Sequence, residues 1–125
     1  MSATEPCLPA DLHAVAAGWL AAGQAGVVID VVRTAGSVPR EAGTRMLVSA
    51  TQALGTIGGG HLELMAIENA RMLLARVPGF EPVERHYPLG PALGQCCGGA
   101  VTLRFARLDA AALRAWPLAA PRFHL

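Results

Sequence analysis

Lysine is missing from this 125-residue sequence; all ten basic side chains are arginine. That excludes Schiff-base and other lysine chemistry, and alongside the many alanines it reads as a genomic composition bias. Aromatic residues are few, and ten basic side chains nearly cancel nine acidic ones to leave a net charge of +1. With no basic run and no interleaved aromatic series, nothing supports a nucleic-acid partner. Cysteine is scarce as well: Cys7, Cys96 and Cys97 cannot build a disulfide framework. The opening Met-Ser-Ala-Thr-Glu-Pro carries neither the basic nor the apolar region of a signal peptide, so the expected location is the reducing cytoplasm. No membrane span is expected either, because the apolar window from Ala14 to Val32 is broken by Gly18, Gly23, Gln24, Gly26 and Asp30 and reads as a helix followed by a strand.

The 125 residues fit one domain able to bury a core without disulfide or metal support. The spacing predicts a helix from about Asp11 to Gly23 with Leu12, Val15, Ala16, Trp19 and Leu20 on one face, then a valine-rich strand from Gly26 to Arg33. Further strands are expected at Arg45 to Ser49 and Leu54 to Ile57, and a second helix at His61 to Val77, stopped by Pro78-Gly79. Strands at Val83 to Tyr87 and Ala100 to Arg107 follow, the latter alternating Val101, Leu103 and Phe105 with polar and small residues. Asp109 is placed to cap a short helix over Ala110 to Ala115. The expected fold is α/β, a small mixed β-sheet with two main helices in a single domain.

Glycine concentrates where chemistry is plausible. Gly58-Gly59-Gly60 precedes the second helix, whose first N–H groups lack intrahelical partners and whose dipole favours an anion such as phosphate. The loop matches neither the phosphate-binding pattern with Lys and Ser/Thr nor the dinucleotide fingerprint, which leaves ATP hydrolysis and NAD binding unsupported. Taken alone, it reads equally as a tight strand-to-helix turn. His61 stands in the first turn and either donates to a ligand or faces solvent. Glu63, at the third helical position, is expected to fold back on the helix start rather than to catalyse. Arg40 and Arg45 flank Gly43 in another loop, where Gly36-Ser37-Val38-Pro39 forms a stiff turn able to hold Arg40 in place, and guanidinium groups suit phosphate or the polar edge of a heterocycle. Ion pairing is the plain alternative for each arginine.

Cys96 and Cys97 lie inside Gly94-Gln95-Cys96-Cys97-Gly98-Gly99. Their Cα atoms are about 3.8 Å apart, so a disulfide between them would be strained, and in extended chain their thiols point to opposite sides. Two cysteines and four scattered histidines give no standard zinc site. One thiolate can still ligate a soft metal or attack sulfur; buried, inert cysteine is the competing reading.

Four blocks in order, Thr34-Ala35-Gly36-Ser37-Val38-Pro39-Arg40, Gly43-Thr44-Arg45-Met46, Gly55 to Glu63 and Leu89 to Gly99, resemble the N-terminal domain of the xanthine dehydrogenase accessory (XdhC/CoxI) family. The resemblance covers roughly Ala25 to Leu108. It implies a maturation chaperone without turnover of its own, which binds molybdenum cofactor (molybdopterin) as cargo, protects it during sulfuration and delivers it to a xanthine dehydrogenase-type molybdenum hydroxylase. A cysteine desulfurase and a second copy of the chain are further partners it implies. The cofactor-binding residues expected are Ser37, Arg40, Arg45, Gly58, Gly59, Gly60, His61, Gln95, Cys96, Cys97 and Gly98, with the pterin phosphate at Gly58 to Gly60, and Cys97 or Cys96 at the metal. Longer members continue into a dinucleotide-fold domain. On that pattern residues 1–116 are the family's N-terminal domain and 117–125 a linker toward a domain this sequence does not contain. Two other readings stand beside it: a thiol enzyme or sulfur carrier using Cys96 or Cys97 with His61 or His86 as base, and a truncated interaction module without cofactor.

Overall fold

Alternation of apolar side chains along the strands decides which helix each face of the sheet receives. The computed structural model of the protein describes residues 9–35, 44–57, 60–76, 79–89 and 99–116. Within them the elements run α1 (Pro9–Ala21), β1 (Val27–Ala35), β2 (Arg45–Val48), β3 (Ala53–Gly55), α2 (Gly60–Leu74), β4 (Val83–Leu89), β5 (Gly99–Arg107) and α3 (Ala110–Arg114). The strands form one five-stranded sheet in the order β3-β2-β1-β5-β4. Val27, Ile29 and Val31 of β1 join Met46, Val48, Val101, Leu103 and Phe105 in a core with Leu62, Ala66, Ala70 and Leu73 of α2. Val28 and Leu47, one step along the same strands, join a second core with Leu12 and Ala16 of α1, Leu108 and Trp116. Successive strand side chains point to opposite faces, so the two cores lie on opposite sides of the sheet.

The elements start and stop for local reasons. Pro9 begins α1 two residues before the expected Asp11, a position where its missing N–H costs no helical bond. Past the helix, Gly23 takes φ +76°, a left-handed turn that suits glycine. In α2 the last amides tighten onto carbonyls three residues back, Ala75 to Met72 and Arg76 to Leu73, so the helix ends at Leu74 instead of running on to Val77. Asp109 caps α3 by accepting the Ala112 N–H at 2.8 Å.

The fold is the expected one, a small α/β domain with two main helices, but the sheet is not mixed. All four pairings are antiparallel. A parallel pair needs a crossover connection, and the strand–helix–strand run β3–α2–β4 supplies one. Those two strands do run in the same direction, yet they are the outermost strands of the sheet with three strands between them, so no parallel pair forms among the described strands.

Candidate functional site

Antiparallel pairing throughout means that β1, β3 and β4 run one way and β2 and β5 the other. The C-terminal ends of β1, β3 and β4 and the N-terminal ends of β2 and β5 therefore share one edge of the sheet, the edge at which strands begin and end and which runs across all five of them. At this edge the chain leaves β1 and re-enters at β2, leaves β3 for α2, and leaves β4 for β5. The Ser37–Arg40 block, the triple glycine and the Gln95–Gly98 block occupy those three connections. Ser37, Arg40, Gly58, Gly59, Gln95, Cys96, Cys97 and Gly98 themselves lie outside the described residues, as do Cys7 and residues 117–125. Arg45, Gly60 and His61 are described.

The passage from β3 into α2 is fastened by Glu63. Its carboxylate is buried and accepts hydrogen bonds from the Ile57 N–H at 3.1 Å and from the Thr56 hydroxyl. The side chain thus reaches back past the helix start to the end of the preceding strand, a structural role of the kind its position suggests. Gly55 closes β3 at φ +82°, and a Cβ there would lie 2.7 Å from the Arg45 carbonyl oxygen, so both conformation and space require glycine. Gly60 starts α2 at φ +75°, and both Gly60 and His61 are exposed. The other end of α2 is tied to the opposite edge, where Arg71 donates to the Ser49 carbonyl at 3.0 Å in the β2–β3 turn.

Arg45 is held on the α1 side of the sheet. Its Nε and Nη2 donate to the two carboxylate oxygens of Asp30, the Nη2 bond at 3.1 Å, and its guanidinium carbon lies 4.2 Å from the Trp116 ring centroid. His13 meets the same ring edge-on at 5.6 Å between centroids. The pair follows from register, since Asp30 and Arg45 stand directly opposite on β1 and β2. A half-buried fork of this kind is a firm anchor for the chain returning to the sheet.

A second feature of the same edge brings His86, which the sequence offers as a base for thiol chemistry, together with residues that no motif singles out. α1 packs on β2, and on β4 Glu84 and His86 are exposed on the face away from α2. There a cavity of about 350 Å³ is lined by Arg33, Thr34, Glu84, His86, Ala100 and Thr102. Arg33 reaches this face through a register shift between Val31 and Arg33, which pairs Arg33 with Thr102 instead of Val101. One added residue turns every following side chain over. Arg33 Nη2 then donates to Glu84 Oε1 at 3.0 Å across the intervening β5, while His86 Nδ1 and the Thr102 hydroxyl lie 3.3 Å apart. Arg33, Glu84 and Thr102 carry no local motif; only register brings them together. Beside them Arg45, Asp30, Arg104 and Glu84 stand in one row over four adjacent strands, alternating in sign.

On the α2 face of β4, Tyr87 is buried and its hydroxyl accepts a hydrogen bond from Asn69 Nδ2 at 2.9 Å. Burial raises its pKa above the ordinary 10.0, partly offset by the Asn69 hydrogen bond and the Arg85 charge. Among the described residues no group of three or more His, Cys, Asp or Glu is placed to hold a metal ion, and no helix is long and apolar enough to cross a membrane.

A small antiparallel α/β domain whose glycine-rich blocks all attach at one edge of the sheet is the class this geometry defines. The model of the XdhC and CoxI family matches residues 19–85, more than half of the chain. The chain belongs to that family. A solved structure described as a xanthine dehydrogenase from Bacillus halodurans shares the fold with a TM-score of 0.69 at 20% identity, over 88% of this chain and 33% of that one. The chain thus spans about a third of that protein's length. Among curated proteins none matches.

Proposed function

We propose that this protein is a maturation factor for a xanthine dehydrogenase-type molybdenum hydroxylase, binding molybdenum cofactor as cargo and handing it on without turnover of its own. Family membership supports the maturation role. The observation that carries the cargo-binding part is the shared edge: three glycine-bearing connections begin and end there. The described residues fit an anionic, phosphate-bearing cargo. The exposed first turn of the 15-residue α2 at Gly60 and His61 offers N–H groups and the positive end of the dipole, and the Glu63 latch keeps that turn in place.

In this reading Gly58, Gly59, Gly60 and His61 receive the phosphate, while Ser37 and Arg40 border the polar rim. Gln95, Gly98 and the thiols of Cys96 and Cys97 face the metal end, where sulfur suits a soft centre. Arg45, committed to Asp30 and Trp116, anchors the start of β2, where the chain returns to the sheet after the Ser37–Arg40 block. A cysteine desulfurase is the natural source of sulfur for cargo held in this way, the cytoplasm its location.

The test is a titration of the purified protein with molybdenum cofactor under anaerobic conditions, followed by transfer into a cofactor-free hydroxylase. The expected result is one retained cofactor per site and recovery of hydroxylase activity that depends on this protein. Cofactor passing through unretained, or a persulfide trapped on Cys96 or Cys97 with no cofactor bound, would contradict the proposal and favour the sulfur-carrier chemistry.

A further inference from the structure

We propose that the trough over β5 is a binding site for a flat heterocycle with a 2-amino-4-oxopyrimidine edge, the edge shared by pterins and guanine. Its floor is Ala100 and Thr102, two small side chains, and its walls are the longer Arg33 on β1 and Glu84 and His86 on β4. A flat ring can lie on such a floor. The volume, about 350 Å³, is at the lower end of small-molecule sites and admits a bicyclic ring but not a dinucleotide.

The polar groups select the edge. Glu84 offers two carboxylate oxygens to parallel N–H donors, and Arg33 offers N–H donors to a neighbouring carbonyl. A phosphate would meet the Glu84 carboxylate and a simple cation would meet the Arg33 guanidinium, so a ligand presenting donors and an acceptor side by side fits better than either ion. The two groups satisfy each other across β5 at 3.0 Å. Their side chains are 66% and 48% exposed, and an ion pair so exposed adds little stability, so a ligand edge can replace it at small cost. Arg33 stands over the trough only because of the register shift after Val31; without it the side chain would turn toward the apolar core under α2. Bulges that re-aim a side chain recur beside functional sites.

The trough rests on its own geometry, and only the choice of a pterin over guanine rests on the maturation reading. The experiment is a fluorescence titration of the protein with 6-hydroxymethylpterin, with lumazine, which carries an oxygen in place of the 2-amino group, and with guanosine. Saturable pterin binding is expected, weaker by about tenfold or more in Glu84→Gln and in Arg33→Gln. Lumazine should bind wild type less tightly than the pterin by a similar factor and lose that handicap in Glu84→Gln. Guanosine binding more tightly than the pterin would keep the edge recognition and assign a purine as its source. Equal affinity for pterin and lumazine in wild type, unchanged affinity in both variants, or no saturable binding would overturn the proposal. Whole cofactor retained equally by wild type and Glu84→Gln would overturn the trough and leave the maturation role standing. Pterin binding without cofactor retention would do the reverse.

Discussion

At the scale of single residues, Arg45 shows how a side chain that reads as a ligand contact is used inside the fold. Asp30 and Arg45 are 16% and 18% exposed, so removing one partner strands a charge where water reaches poorly. Asp30→Asn is expected to cost about 1–3 kcal/mol in urea unfolding, and a double-mutant cycle with Arg45→Gln should return most of that as coupling. Additive losses would mean that the fork contributes nothing. Tyr87 supplies a pH dependence. Its folded pKa is above 10.0, so the folded chain keeps a proton that the unfolded chain releases. Stability from this group is complete below about pH 10 and declines as the pH rises through the raised value. With no lysine and one tyrosine, the cysteines and this phenol are the main side chains titrating in the alkaline range. Tyr87→Phe should cost about 1 kcal/mol at neutral pH and flatten the melting temperature between pH 10 and 11 relative to wild type.

At the scale of elements, most of the fold is legible in the sequence because periodicity and punctuation act locally. β5 announces itself by the alternation of Val101, Leu103 and Phe105, all buried, and α3 by Asp109 at its cap. What local pattern does not carry is which strands meet: β3 and β4 follow one another across α2 and are the two outermost strands of the sheet. The same limit hides the trough, since Arg33 and Glu84 are 51 positions apart and meet through β5 and a bulge. Glu63 was legible as a structural carboxylate, though not its reach beyond the helix start to Ile57 and Thr56. Glu63→Ala leaves the Ile57 N–H without this acceptor in a buried place, and is expected to cost about 1–3 kcal/mol. Amide exchange should quicken first in the opening turn of α2; uniform acceleration across the sheet would argue instead for a general loss of packing.

At the scale of the whole molecule, antiparallel pairing sets the strand ends that flank three separated stretches of sequence along one edge of the sheet. The blocks themselves were visible from residue types, because glycine clusters, a Ser-Val-Pro-Arg turn and adjacent thiols stand out in composition. Their common edge needed the sheet order, in which β1 and β5 are central partners although 63 residues separate Ala35 from Gly99. The opposite edge, with the tight Ser49–Gln52 turn and the end of α2, is built for stability, its Ser49 hydroxyl accepting from Thr51 and Gln52 N–H groups. Hydrogen exchange with and without molybdenum cofactor tests the shared-edge site most directly. Protection should rise together, at the same cofactor concentration, in residues 36–43, 58–61 and 90–98, with no change at 49–52. Protection confined to one of the three, or centred on the opposite edge, would contradict a single site built by all of them.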